Sequence, residues 1–320
     1  MISLVKASAP AKTILVGEHF VVAGCPAIAA AIDVRATVEA ERLSASGIIE
    51  VDSRELGRQV FEAGKAASGP LYPVYVAASE VLKLAGCDIG LRLRVESGIP
   101  PSSGMGSSAA VAVATVTAVA ALLGISLPPG EISRVAYAAE TLVHGRPSGI
   151  DNTVSTYGGV IYYKRGEGFT KLKADLSPVR IILADSGIQR STGELVSKVL
   201  ALKARHASIL DHVYEAAANL AEAAKVAIER GDYPTLGELM NINHGLLSAI
   251  GVSNAKLEEL VYAARQAGAL GAKITGAGGG GMVLALAWSE DAGKVAQALS
   301  RLSERVIVAT ISQEGARLEA

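Results

Sequence analysis

The chain of 320 residues has two cysteines, four methionines and one tryptophan, and aromatic residues make up only 4% of it. Cys25 and Cys87 stand far apart with no CxxC pattern, which excludes a disulfide-stapled scaffold and fits a reducing, cytoplasmic setting. Charge of one sign is missing too: 30 Lys plus Arg face 31 Asp plus Glu, so nothing points to nucleic acid or an anionic membrane as partner. Small molecules are the expected partners. Residues 1–11 lack the apolar run and cleavage pattern of an exported chain. The chain also has no GxxxxGK[ST] loop, no His-x-x-x-His pair and no GxSxG elbow, which excludes an ordinary P-loop, a common zinc arrangement and a familiar serine hydrolase.

Residues 97–130 carry no charge at all. The helical part, 107–123, is rich in alanine and threonine, shorter than the ~20 apolar residues a bilayer needs, and bounded by Gly and Pro-Pro. A buried core helix is expected there.

Alternation and apolar runs predict strands over 4–9, 12–16, 28–43 and 91–96, the last with one wet face because Leu91, Leu93 and Val95 alternate with Arg92, Arg94 and Glu96. Helical spacing covers 71–85, 107–123 and 131–144. The pattern changes near Gly166, which suggests domains of 1–166 and 167–320. The second part reads as strands at 160–163, 180–184, 272–275, 282–288 and 306–311, with helices over 193–230, 236–250, 256–267 and 292–302. The expected class is α+β, with helices on one face of a mainly antiparallel sheet.

Two glycine-rich stretches stand out. In GIPPSSGMGSSAA, residues 98–110, Gly104 and Gly106 allow a sharp turn and Ser107 and Ser108 open a helix, so backbone N–H groups would cradle an anion, or the stretch is a plain helix cap. It holds no lysine. In GAGGGG, residues 276–281, five of six positions are glycine, more than a hairpin needs, which suggests close backbone approach to a ligand. A strand-like segment follows it, whereas a dinucleotide fingerprint requires a helix.

Charge must come from elsewhere. Glu140, near the end of a predicted helix, and Asp151, just past a Pro147-Ser148-Gly149 turn, offer two carboxylates that phosphoryl transfer would divide between holding Mg²⁺ and orienting the attacking hydroxyl. A solvated helix Glu and a turn Asp remain the plainer explanation. Lys12, inside an apolar strand, predicts partial burial beside an anionic partner. His19 offers a donor for a substrate, or is an ordinary loop histidine.

Taken in order, PAKTILVGEH (10–19), PPSSGMGSSA (100–109) and ITGAGGGG (274–281) resemble three motifs of the GHMP small-molecule kinases, from end to end of the chain. HGRPSGIDN (144–152) and STYGG (155–159) resemble the mevalonate kinase branch in particular. The resemblance implies a ribosomal-protein-S5-like N-terminal domain, a ferredoxin-like C-terminal domain and a site in the cleft between them. It implies Asp151 as base for the 5-hydroxyl of mevalonate, with Lys12 supporting deprotonation. Pro101, Ser102, Ser103, Gly104, Met105, Gly106, Ser107 and Ser108 would hold the ATP phosphates, and Ser108 or Ser107, with Glu140, would hold Mg²⁺. Glu18, His19, Thr192, Gly276, Ala277 and Gly278 would face the acceptor. Met105 stands where leucine is common, a volume-conserving exchange. The 50% apolar fraction has room for a homodimer interface.

Overall fold

The computed structural model describes residues 4–100, 103–144, 148–189 and 191–320. The two expected strands at 4–9 and 12–16 are one, β1 (Leu4–Val16), because Pro10 sits at a bulge. The antiparallel pairing of β1 with β2 (Ala27–Leu43) shifts register between Pro10 and Ala11 and again between Ile14 and Val16. Lys12 lies between the two shifts.

The chain continues through β3 (Ile48–Ser53), β4 (Gly57–Glu62), α1 (Tyr72–Ala85), β5 (Gly90–Ser97), α2 (Ser107–Leu122), α3 (Pro129–His144), α4 (Ile150–Tyr157), β6 (Val160–Lys164) and β7 (Gly168–Leu172). It then forms β8 (Val179–Asp185), α5 (Thr192–Arg205), α6 (Ala207–Arg230), α7 (Tyr233–Ala249), α8 (Ala255–Gln266), β9 (Gly271–Ile274), β10 (Met282–Trp288), α9 (Ala292–Ser300), β11 (Val306–Ala309) and β12 (Arg317–Leu318). The first sheet has the order β12-β1-β2-β5-β3-β4, with β6 paired to β2 and β7 to β6. The second has the order β11-β8-β10-β9. The change of pattern near Gly166 falls in the turn between β6 and β7, both strands of the first sheet.

Helix α2 is buried nearly all round, packed on β1 and β2 and flanked by α1 and α3. Small residues explain the close seat: Ala7, Ala9, Ala11, Ala36 and Ala40 of the strands and Ala110, Ala114 and Ala118 of the helix are all inaccessible to solvent. No helix among the described residues is long and apolar enough to cross a membrane. On β5, Leu91 and Leu93 are buried, whereas Arg92 and Arg94 face outward in ion pairs with Glu39, Glu41 and Glu50.

The second sheet differs from expectation in having both faces buried, not one. Ile182, Ala184, Val283 and Ala285 share a core with α8 and α9. Their neighbours Ile181, Leu183, Leu284 and Leu286 join the larger core that takes in Leu220 and Ala224 of α6, Leu236 and Met240 of α7 and the first sheet. The two sheets therefore share a continuous interior.

Candidate active site

Lys12 is almost fully buried, as its strand predicts, and its Nζ lies 3.1 Å from Asp151 Oδ1. The same ammonium donates to the Gly104 carbonyl at 3.2 Å, and the Lys12 backbone N–H donates to Met105 O at 2.9 Å. One residue thus ties the first glycine-rich loop to the carboxylate. Asp151 sits in the first turn of α4, a helix absent from the sequence reading, where the helix dipole favours negative charge. The helix is fixed on two sides: Ser155 Oγ donates to Pro10 O at 2.9 Å, and Asn152 Nδ2 donates to Ser133 O and Oγ.

Gly106 caps α2 with φ of 73° and no side-chain cap. A methyl group there would press on Lys12 Cγ at 3.0 Å and touch Asp151 Oδ2 at 3.5 Å, and the positive φ itself favours glycine where the loop passes Lys12. The first helical bond runs from Ala110 N to Gly106 O, which leaves the N–H groups of the first turn facing the loop as an anion cradle. Ser107 is partly and Ser108 more fully exposed at this end. Ser103 and Met105 serve the loop itself: Ser103 Oγ donates to Pro100 O at 2.7 Å and accepts from Met105 N, and Met105 is buried in the core. Pro101 and Ser102 lie outside the described residues, as does Arg190.

Glu140 belongs to the same group of charges. Burial, then the nearby Asp151, push its carboxyl up to about 8, and the attraction of Lys12 only partly offsets them. Its Oε2 is buried with no hydrogen-bond partner. A buried carboxyl oxygen with no partner, near Asp151 and Lys12, suits a hard cation bound through oxygen. Among the described residues no cluster of three or more His, Cys, Asp or Glu exists, so an ion here would rely on one carboxylate and on ligand phosphates.

The acceptor-side expectations are met unevenly. His19 reaches the second glycine-rich loop, its Nε2 lying 2.7 Å from Ala277 O, and it is the non-glycine residue with positive φ among those described, at 58°. Glu18, expected beside the acceptor, is instead wholly enclosed: Lys273 pairs with one carboxylate oxygen and Asn243 Nδ2 donates to the other at 3.0 Å. Thr192 opens α5 and is exposed. The second loop also differs from expectation. Methyl groups at Gly278 and Gly280 would meet the carbonyls of Val252 at 2.3 Å and Ile188 at 2.2 Å, and at Gly279 the Leu195 side chain at 2.7 Å. Protein packing by itself requires glycine at those three positions.

Sequence reasoning missed the polar network behind the site. Lys273, Asn243, Thr275 and His244 are all buried. Lys273 carried the same signal as Lys12, a lysine flanked by apolar residues in a short strand. His244 Nδ1 accepts from Ile274 N at 3.4 Å, so its proton lies on Nε2, which meets Glu258 at 3.0 Å; burial holds the ring below its ordinary value.

Comparison with known proteins bears on this geometry. Residues 73–159 match the GHMP kinases N terminal domain and residues 224–306 the GHMP kinases C terminal domain. The chain is 44% identical to the mevalonate kinase of Thermococcus sibiricus, with 98% of each chain covered. It belongs to the GHMP kinases, in the mevalonate kinase family. A second mevalonate kinase, from Pyrococcus abyssi, is 45% identical over 99% of this chain and 98% of its own. The crystal structure of L. major mevalonate kinase in complex with R-mevalonate superposes with a TM-score of 0.84 at 31% identity, covering 97% of this chain and 96% of that one. In this geometry the lysine beside the first glycine-rich loop is Lys12, which arrives from β1.

Proposed function

We propose that this GHMP kinase transfers the γ-phosphoryl group of ATP to the 5-hydroxyl of mevalonate, as a cytoplasmic enzyme. The observation that carries the chemistry is the Lys12–Asp151 pair at 3.1 Å, set against Gly106 at the open end of α2. The family supplies the substrate class. Asp151 accepts the proton of the 5-hydroxyl as its oxygen attacks phosphorus in line; the bond from phosphorus to the β-phosphate oxygen breaks, and ADP leaves. Lys12 offsets the negative charge that gathers at the attacking oxygen and keeps Asp151 in place. The first turn of α2 holds the phosphates.

Glu140, with Ser108 or Ser107, would hold Mg²⁺. Held there, the ion would supply positive charge against the phosphates. His19 and the segment Gly276 to Gly278 line the acceptor side, whereas Glu18 supports it from behind. A coupled ADP-release assay with mevalonate, homoserine, phosphomevalonate and galactose tests the reading. Turnover of mevalonate alone is expected; turnover of another of these alcohols with none of mevalonate overturns it.

A further inference from the structure

Lys273 and Glu18 form an ion pair with no solvent exposure on either side chain. Such a pair is a poor way to gain stability, because desolvation offsets the attraction and matched neutral side chains serve as well or better. Its location gives it another use. The Lys273 ammonium donates both to Glu18 and to the backbone carbonyl of Ile14, at 3.3 Å for the latter. Ile14 lies two residues past Lys12, and Glu18 lies one before His19.

A single ammonium therefore spans the turn that separates Lys12 from His19. Two parallel ties flank it: Thr275 Oγ1 meets Thr13 Oγ1 at 3.2 Å and accepts from Ile14 N at 3.3 Å, and His19 meets Ala277 O. Asn243 closes the brace, since its Oδ1 accepts from Gly17 N at 3.2 Å while its Nδ2 donates to Glu18. Every tie joins the end of β1 and its following turn to β9, the second glycine-rich loop or α7. The positive φ of His19 is held within this frame.

We propose that Lys273 is a positioning residue for phosphoryl transfer: through Ile14 and Glu18 it sets the distance between the Lys12 ammonium and the His19 side of the acceptor pocket. The proposal rests on the phosphotransfer reading, and the unaltered chain's turnover of mevalonate tests that reading separately. Displacement of a reacting group by about 1 Å costs roughly 100-fold in rate.

The paired neutral variant Glu18→Gln with Lys273→Met removes both charges, so no unpaired charge stays buried, and the glutamine oxygen still accepts from Asn243. Its melting midpoint is expected within a few degrees of the parent. Its kcat is expected to fall about 10- to 100-fold, with KM for mevalonate raised more than KM for ATP, because α2 itself is seated on β1 and β2 along its whole length. Parent-like kcat at a retained midpoint overturns the proposal. Should the pair fail to fold, Lys273→Arg keeps the charge but displaces the donor that reaches Ile14 and Glu18, and is read the same way: a fall in kcat of about 3- to 10-fold with KM for mevalonate raised more than KM for ATP supports positioning, and parent kcat overturns it.

Discussion

The two glycine-rich loops look alike in sequence and differ in what their glycines avoid. In the first, Gly106 makes room for the side chain of Lys12, which pairs with Asp151. In the second, Gly278, Gly279 and Gly280 make room for Val252, Leu195 and Ile188, residues of the same chain that carry no charge. The second loop also donates from Gly279 N to Val252 O and from Gly281 N to Ile188 O. One loop is shaped by chemistry, the other by its seat in the fold. Glycine content alone does not distinguish a ligand cradle from a close-packed clasp.

The largest effect expected from breaking this distinction is at Asp151. Asp151→Asn should lower kcat by roughly 10²–10⁴-fold, the usual weight of a positioned base, while ATP binding measured by calorimetry stays near the parent. Next comes a matched pair of methyl groups. Gly106→Ala should lower kcat by about 10- to 100-fold through displacement of Lys12 or Asp151, with a thermal loss of about 1–2 kcal/mol from the strained backbone. Gly280→Ala should do the reverse. Its methyl group meets a backbone carbonyl at 2.2 Å, so the melting midpoint drops sharply while kcat per folded molecule changes less than for Gly106→Ala. Equal kcat losses in the two variants would erase the distinction between the loops.

A smaller effect sharpens the electrostatics of the first loop's neighbour. Glu140 is raised from 4.5 to about 8 in the folded chain, so its contribution to stability is full below the unfolded value and is lost as pH rises through the folded one. The metal-free protein should therefore lose stability between those limits, and Glu140→Gln should flatten that slope in chemical denaturation at several pH values. Mg²⁺ should raise the melting midpoint of the parent more at about pH 9 than at about pH 6, and this difference should vanish in Glu140→Gln. The smallest effect lies on the wet face of the first sheet, where Glu50 meets Arg58 and Arg92. Glu50→Gln should shift the urea midpoint only slightly, less in high salt, and leave turnover unchanged.

Much of this was legible along the chain because its signals are local. Leu91, Arg92, Leu93 and Arg94 alternate, and β5 has one dry and one wet face as a result. Lys12 inside an apolar strand announced a buried ammonium with an anionic partner, and Asp151 is that partner. What the chain hid depends on distant segments. Pro10 read as a break between two strands, and only the bulge against β2 shows how one strand passes through it. Glu18 read as a substrate ligand because its neighbours did, yet its partners lie on α7 and β9, more than 220 residues on. The edge strands β4 and β12 gave no clear pattern, since strands with mostly exposed residues lack a regular apolar face.

The central claim is that the charges gathered around the first loop direct the phosphoryl group to one oxygen of mevalonate. Phosphorus NMR of the product formed from mevalonate and ATP by the unaltered chain tests it most directly. The account predicts a single phosphomonoester on the 5-oxygen, with one ADP released for each. ADP release without phosphorylated mevalonate, or phosphate on the 3-hydroxyl, would contradict it.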